Sequence, residues 1–159
     1  MVLPALSSSP AGGDGSVGAL VHSVTSGAIE AIVPIDTMRG GFARAELRFD
    51  GLVPPTTSFE VRVFVNEARA NAKTPTINNP RYLGSQFFYG VGVDEDARTN
   101  RRQQFAPTQI RLNVTSTLAG YLAHTKHPTV EITLVVVGGD GDEIMHPGLA
   151  FESLSLVTT

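Results

Sequence analysis

FEVRVFVNEARANAKTPTINNPRYLGSQFFYGVG, residues 59–92, carries the pattern that decides the fold. Its first seven residues alternate. Phe59, Val61, Val63 and Val65 share one face, and Phe64 points the other way. Such alternation marks a strand with one face in a core. A polar loop with prolines at 75 and 80 follows, and then an aromatic strand marked out by Gly84, Gly90 and Gly92. Three consecutive aromatics, Phe87, Phe88 and Tyr89, cannot all face one side of a strand, so at least one points away from the core.

Working outward, the same grammar recurs. Residues 42–49 place Ala43, Ala45, Leu47 and Phe49 opposite Arg44, Glu46 and Arg48, the pattern of a half-buried antiparallel strand. Asp50-Gly51 and Pro54-Pro55 read as the turn before residue 59. Upstream, residues 17–24 and 28–35 are strand candidates. Downstream, residues 109–115 alternate through Ile110, Leu112 and Val114. Thr115 or Ser116 is placed to cap a short helix reaching His124, with Leu118, Tyr121 and Leu122 on one face. TVEITLVVV, residues 129–137, is the strongest strand in the chain and ends in the hairpin-like GGDGD of 138–142. Residues 149–157 form a last, imperfectly alternating strand. The expectation is an all-β fold: an antiparallel β-sandwich, jelly-roll-like, with one short helix over an open end. Its core should hold Leu47, Phe49, Phe59, Val61, Val63, Ile110, Leu112, Val130, Ile132 and Leu134.

Composition agrees with that class. At 159 residues the chain makes one domain able to bury roughly 70% of the surface it exposes when unfolded. Its 16 Gly and 10 Pro suit a turn-rich β protein. Twelve basic against fifteen acidic residues leave a net charge of −3 with no basic face evident, which argues against a nucleic-acid partner. The chain has no cysteine, so disulfides and thiolate metal sites are excluded, and the compartment stays open. Residues 1–15 lack the basic and apolar regions of an intact signal peptide. No stretch approaches the ~18 apolar residues of a membrane helix, so membrane insertion is not expected.

The order of features (strand, VFVN, long loop, TPT, NP-x-Y-x-GS, aromatics, G-x-G) resembles the C-terminal β-domain that follows the copper domain of tyrosinases and polyphenol oxidases. GFARAELRFDGLVPPTTSFEVRVFVN is similar to that family's pair of strands. PTQIRLNVTSTLAGYL followed by PTVEITLVVVGGDG is similar to its strand, short helix and long apolar strand. The resemblance spans about residues 17–159. It implies a non-catalytic module that packs over a copper pocket and restrains access to it. The copper domain itself is absent. His22, His124, His127 and His146 cannot build two three-histidine copper sites. No blocking residue is carried over.

Weighed for chemistry, the remaining motifs point to no catalytic residue, no metal site and no cofactor. His124 and His127 have a spacing that can serve one metal, but Pro128 follows and no carboxylate shares the turn. Imidazoles at a helix C-terminus are favoured by the dipole alone. Asp94-Glu95-Asp96 and Asp140, Asp142 and Glu143 are oxygen-rich without EF-hand spacing, and are ordinary turn material. There is no G-x-S-x-G elbow, and Gly90-Val91-Gly92 lacks a third glycine. Asn113-Val114-Thr115 is a formal glycosylation sequon within a strand.

Two function classes remain. One is a non-catalytic shielding module acting through protein–protein contacts. The other is a structural subunit that assembles with itself. Phe64, Phe87, Phe88 and Tyr89 are the aromatic candidates for a partner surface. Residues 1–16 form an apolar arm on a flexible linker, ahead of a domain at 17–159. Val2, Leu3 and Leu6 are the arm residues a homo-oligomer would use by docking on a neighbour's sheet edge.

Overall fold

A computed structural model describes residues 15–20, 33–34, 41–53, 55–90, 108–126, 129–145, 149 and 151–159. Within these, β1 (Gly15–Leu20), β3 (Ala45–Leu52), β6 (Thr108–Asn113) and β9 (Ser153–Thr158) form a four-stranded sheet in the order β1-β9-β3-β6. β4 (Phe59–Val65), β5 (Tyr82–Phe88) and β8 (Ile132–Val137) form a three-stranded sheet in the order β5-β4-β8. β2 (Val33–Pro34) pairs with β7 (Thr129–Val130). Every pairing is antiparallel. The architecture is an all-β sandwich of two sheets, with a single helix, α1 (Thr115–His124), among the described residues.

Alternation explains the core. Ala45, Leu47 and Phe49 of β3, Leu154 and Leu156 of β9, Phe59, Val61 and Val63 of β4, and Ile132, Leu134 and Val136 of β8 meet in one cluster between the sheets. Ile110 and Leu112 pack at its margin. Phe88 sits between two other rings, 6.1 Å from Phe49 and 5.6 Å from Phe59, and Phe151 lies 5.5 Å from Phe49. Edge-to-face and tilted contacts of this kind add to what burial of the rings supplies. α1 places Leu118 and Tyr121 in the same cluster, against β3 of one sheet and β5 of the other, and so closes one end of the sandwich.

Four local expectations are corrected. Asp50-Gly51 is not a turn: β3 runs through it to Leu52 with a bulge, and Gly51 takes φ +66° with the Glu152 side chain packed where a Cβ would stand. Gly84 does not bound the aromatic strand but lies inside it, at the register shift between Val63 and Phe64, with φ +149°. The run 129–137 is two strands broken at Glu131, whose N–H donates to Asn66 Oδ1 at 2.6 Å. Neither Thr115 nor Ser116 caps the helix. Val114 occupies that position without a side-chain bond, and the Thr115 hydroxyl instead ties α1 to the Ala45 N–H (2.9 Å) and to Asn113 Oδ1 (2.8 Å).

Candidate functional site

Of the aromatic candidates, the structure buries two. Phe88 is in the main core. Phe64 is 0% exposed, which removes it from any surface patch. It points to the outer face of the three-stranded sheet, as alternation requires, but residues 66–81 fold back over that face. Phe64, Val135 and Val137 form a second cluster there, packed by Ala70, Ala72 and Tyr82, with the Phe64 and Tyr82 rings 5.4 Å apart. This strap is bonded down: Arg62 donates to the Ala72 carbonyl at 2.9 Å, and the Ala72 N–H reaches Glu143 Oε2 at 3.4 Å.

Phe87 and Tyr89 are the aromatics left outside, 57% and 80% exposed. They lie two residues apart, on the side of β5 away from the core. β5 is an outer strand, and no described strand pairs with its far side. Just beyond, the Gly90 N–H donates to the Ser58 hydroxyl (2.9 Å), and the backbone of Thr56 and Thr57 comes so close that a Cβ on Gly90 would stand 2.6 Å from it. The end of β5 is therefore fixed against residues 56–58. Val2, Leu3 and Leu6 lie outside the described residues, as do His22, Asp94-Glu95-Asp96, His127 and His146.

Two features escaped sequence reasoning. Ile77 is 80% exposed within the strap, whose turns are held by Asn71, Thr74 and Asn79 through bonds such as Lys73 N–H to Asn71 Oδ1 (2.9 Å) and Asn79 Nδ2 to the Pro75 carbonyl (2.9 Å). Asn66, the residue ending VFVN, is a hub. In a left-handed conformation (φ +48°) its N–H donates to the Glu131 carbonyl (2.8 Å), and its Nδ2 to the Tyr121 hydroxyl (2.7 Å). Its carbonyl accepts from Arg81 at 2.9 Å. Asn is the non-glycine residue best suited to that backbone region, and an Asn straight after an alternating strand was the available signal.

Beside this hub lies an open pocket of about 420 Å3, between the last turn of α1 and the 80–81 turn. Pro80 and Tyr121 give it apolar walls, and Arg81, His124 and Lys126 give it polar ones. The Tyr121 hydroxyl also accepts from Thr125 Oγ1 at 3.2 Å. His124 Nδ1 is 3.0 Å from the Gly120 carbonyl, so it carries the proton and Nε2 is the outward nitrogen.

Among the described residues no group of three or more His, Cys, Asp or Glu side chains is placed to hold a metal ion. In the 138–142 turn Asp140 accepts from the Asp142 N–H at 3.1 Å, as hairpin carboxylates do. Among the described residues no helix is long and apolar enough to cross a membrane.

No protein-family profile matches the chain, and no curated protein matches it. Solved structures do. A recombinantly expressed latent aurone synthase (polyphenol oxidase) is similar over 86% of this chain and 26% of that one, at 16% identity and a TM-score of 0.48. The same enzyme from its natural source is similar over 91% of this chain and 24% of that one, at 16% identity and a TM-score of 0.44. The chain thus spans about a quarter of the length of these oxidases, and their activity is not carried over to it.

Proposed function

We propose that this chain is a non-catalytic β-sandwich module that works by covering a protein partner, a shielding role of the kind its sequence resemblance implies. The observation that supports it is the pair Phe87 and Tyr89. Large aromatics are enriched in protein interfaces, and here two stand out at the end of a strand whose outer edge pairs with no described strand and whose end is pinned by Gly90. A rigid aromatic edge loses little conformational freedom when a partner covers it. The strap offers Ile77 at the opposite end of the β4–β5 hairpin as a second apolar contact.

The same edge serves a second reading, self-assembly. An exposed strand edge accepts an added strand, and Val2, Leu3 and Leu6 of another copy supply an apolar segment on a linker. One experiment separates the two. A photo-crosslinking amino acid replaces Tyr89 in the full chain expressed in its own host, and a control replaces Asp142. A discrete heavier adduct at 89 and not at 142 supports the shielding reading. An adduct of twice the chain mass that vanishes when residues 1–13 are deleted supports self-assembly. No adduct, or equal adducts at both positions, refutes an interface at this edge.

A further inference from the structure

The open pocket beside Tyr121 has a lopsided set of charges around it. Its polar walls are Arg81, His124 and Lys126, and among the described residues no carboxylate lines it, although the whole chain carries a net charge of −3. Two walls are set in advance by one residue: Asn66 accepts from Arg81 through its carbonyl and donates to the Tyr121 hydroxyl through its amide. Arg81 is further held by Glu67, 3.8 Å away and outside the pocket lining. Lys126 is exposed and has no hydrogen-bond or ion-pair partner among the described residues.

A helix C-terminus normally repels anions, because its last carbonyls are unpaired and carry partial negative charge. Here the Tyr121 carbonyl is already occupied by the Thr125 N–H at 3.1 Å. One residue earlier, the Gly120 carbonyl accepts from His124 Nδ1. Against the carbonyls that remain stand the cationic side chains of Arg81 and Lys126. The floor is open as well, since a Cβ built on Gly120 meets no atom within 4 Å. Pro80 and the small exposed part of the otherwise buried Tyr121 supply apolar surface beside these charges, the usual mixture of a small-molecule site.

We infer that this pocket binds a small carboxylate with a compact apolar body, its carboxylate toward Lys126 and Arg81 and its body between Pro80 and Tyr121. The inference is independent of the shielding reading, because the pocket is built from α1 and the 80–81 turn and shares no residue with the Phe87–Tyr89 edge.

The probe is benzoate, with benzyl alcohol as its neutral counterpart, followed by amide chemical shifts of the full chain. Benzoate is expected to shift the amides of Gly120, Tyr121, Thr125 and Lys126 saturably, and benzyl alcohol at the same concentrations is not. Lys126→Gln should weaken benzoate on the order of fivefold, as loss of one exposed ion pair does, while Lys126→Arg should restore it. Gly120→Leu should abolish binding by filling the floor, with the midpoint of thermal unfolding unchanged or raised because Leu favours helix over Gly. Equal binding of benzyl alcohol, shifts scattered over the surface, no saturable shift, or unchanged affinity in Lys126→Gln and Gly120→Leu would each overturn the inference.

Discussion

The outer faces of the two sheets are built on opposite plans. On the four-stranded sheet, β3 and β6 turn charged and polar residues outward. Glu46, with its side chain only 5% exposed, lies between Arg44 at 2.5 Å and Arg48 at 3.5 Å. Arg111 donates to Gln109 at 2.6 Å, and Gln109 in turn bonds Asp50. On the three-stranded sheet the outer face sets the Glu60–Arg62 ion pair of β4 beside an apolar patch, and the 66–81 strap closes over that patch of Phe64, Val135 and Val137. One face is thus completed by side chains bonding along and across its own strands, the other by a loop with a small core of its own. The difference shows in the strands themselves. β3 alternates buried and less buried positions from Leu47 to Asp50, whereas all six residues of β8 are buried. A strand buried on both faces has no reason to alternate, and ITLVVV does not.

Three substitutions put this contrast at risk, beginning with the largest effect. If the strap cluster is a true core, Phe64→Ala should cost about 3–5 kcal/mol of unfolding free energy, as a buried Phe in a main core does. Chemical denaturation of Phe64→Ala beside Phe59→Ala measures this directly. A loss under about 1 kcal/mol for Phe64→Ala alone would reduce the strap to a surface flap. Next, Asn66→Ala should cost on the order of 2 kcal/mol, because it leaves the Glu131 N–H without its acceptor and the Tyr121 hydroxyl without the nearer of its two donors. Asn66→Gly keeps the left-handed backbone accessible, so its loss should approach that of Asn66→Ala if the side-chain bonds dominate. A near-neutral Asn66→Gly would assign the effect to the backbone instead. Smallest is Arg44→Ala on the polar face. Arg44 is 60% exposed, and one surface ion pair contributes less than about 1 kcal/mol. A loss above about 2 kcal/mol in the same assay would make that face as cooperative as the strapped one.

How much was legible follows from where alternation operates. β3, β4 and β6 were readable because each turns one face to the core. Even Phe64 was correctly placed on the far face of β4, but its burial was not readable. The group that covers it is a loop of polar, turn-forming residues, and no periodicity announces where a loop will lie. Gly51 and Gly84 read as boundaries because glycine most often marks turns, while both sit in bulges that bend continuing strands. At the aromatic edge, three consecutive rings could not all face inward, so an outward-pointing aromatic was foreseeable, although not which ones. The pocket was invisible to local reading. Arg81 and Lys126 are forty-five residues apart and meet only through Asn66 and Tyr121, which no spacing rule connects.

The place of β9 sets the order in which this molecule can be made. Residues 153–158 lie between β1 and β3 in the four-stranded sheet, and β1 pairs only with β9 among the described strands. Of the described strands, synthesis therefore delivers β1 first and its pairing partner last. The hairpin of β4 and β5 closes across some twenty residues, and β8 adds to it while the ribosome is still at work. β1 waits until residue 158 has left the exit tunnel. Contacts of such long sequence separation are slow to form, and an unpaired strand exposed meanwhile is a site of misassembly. The nascent chain is thus a half-built sandwich, its three-stranded sheet already competent and its four-stranded sheet open, until translation has passed the last strand.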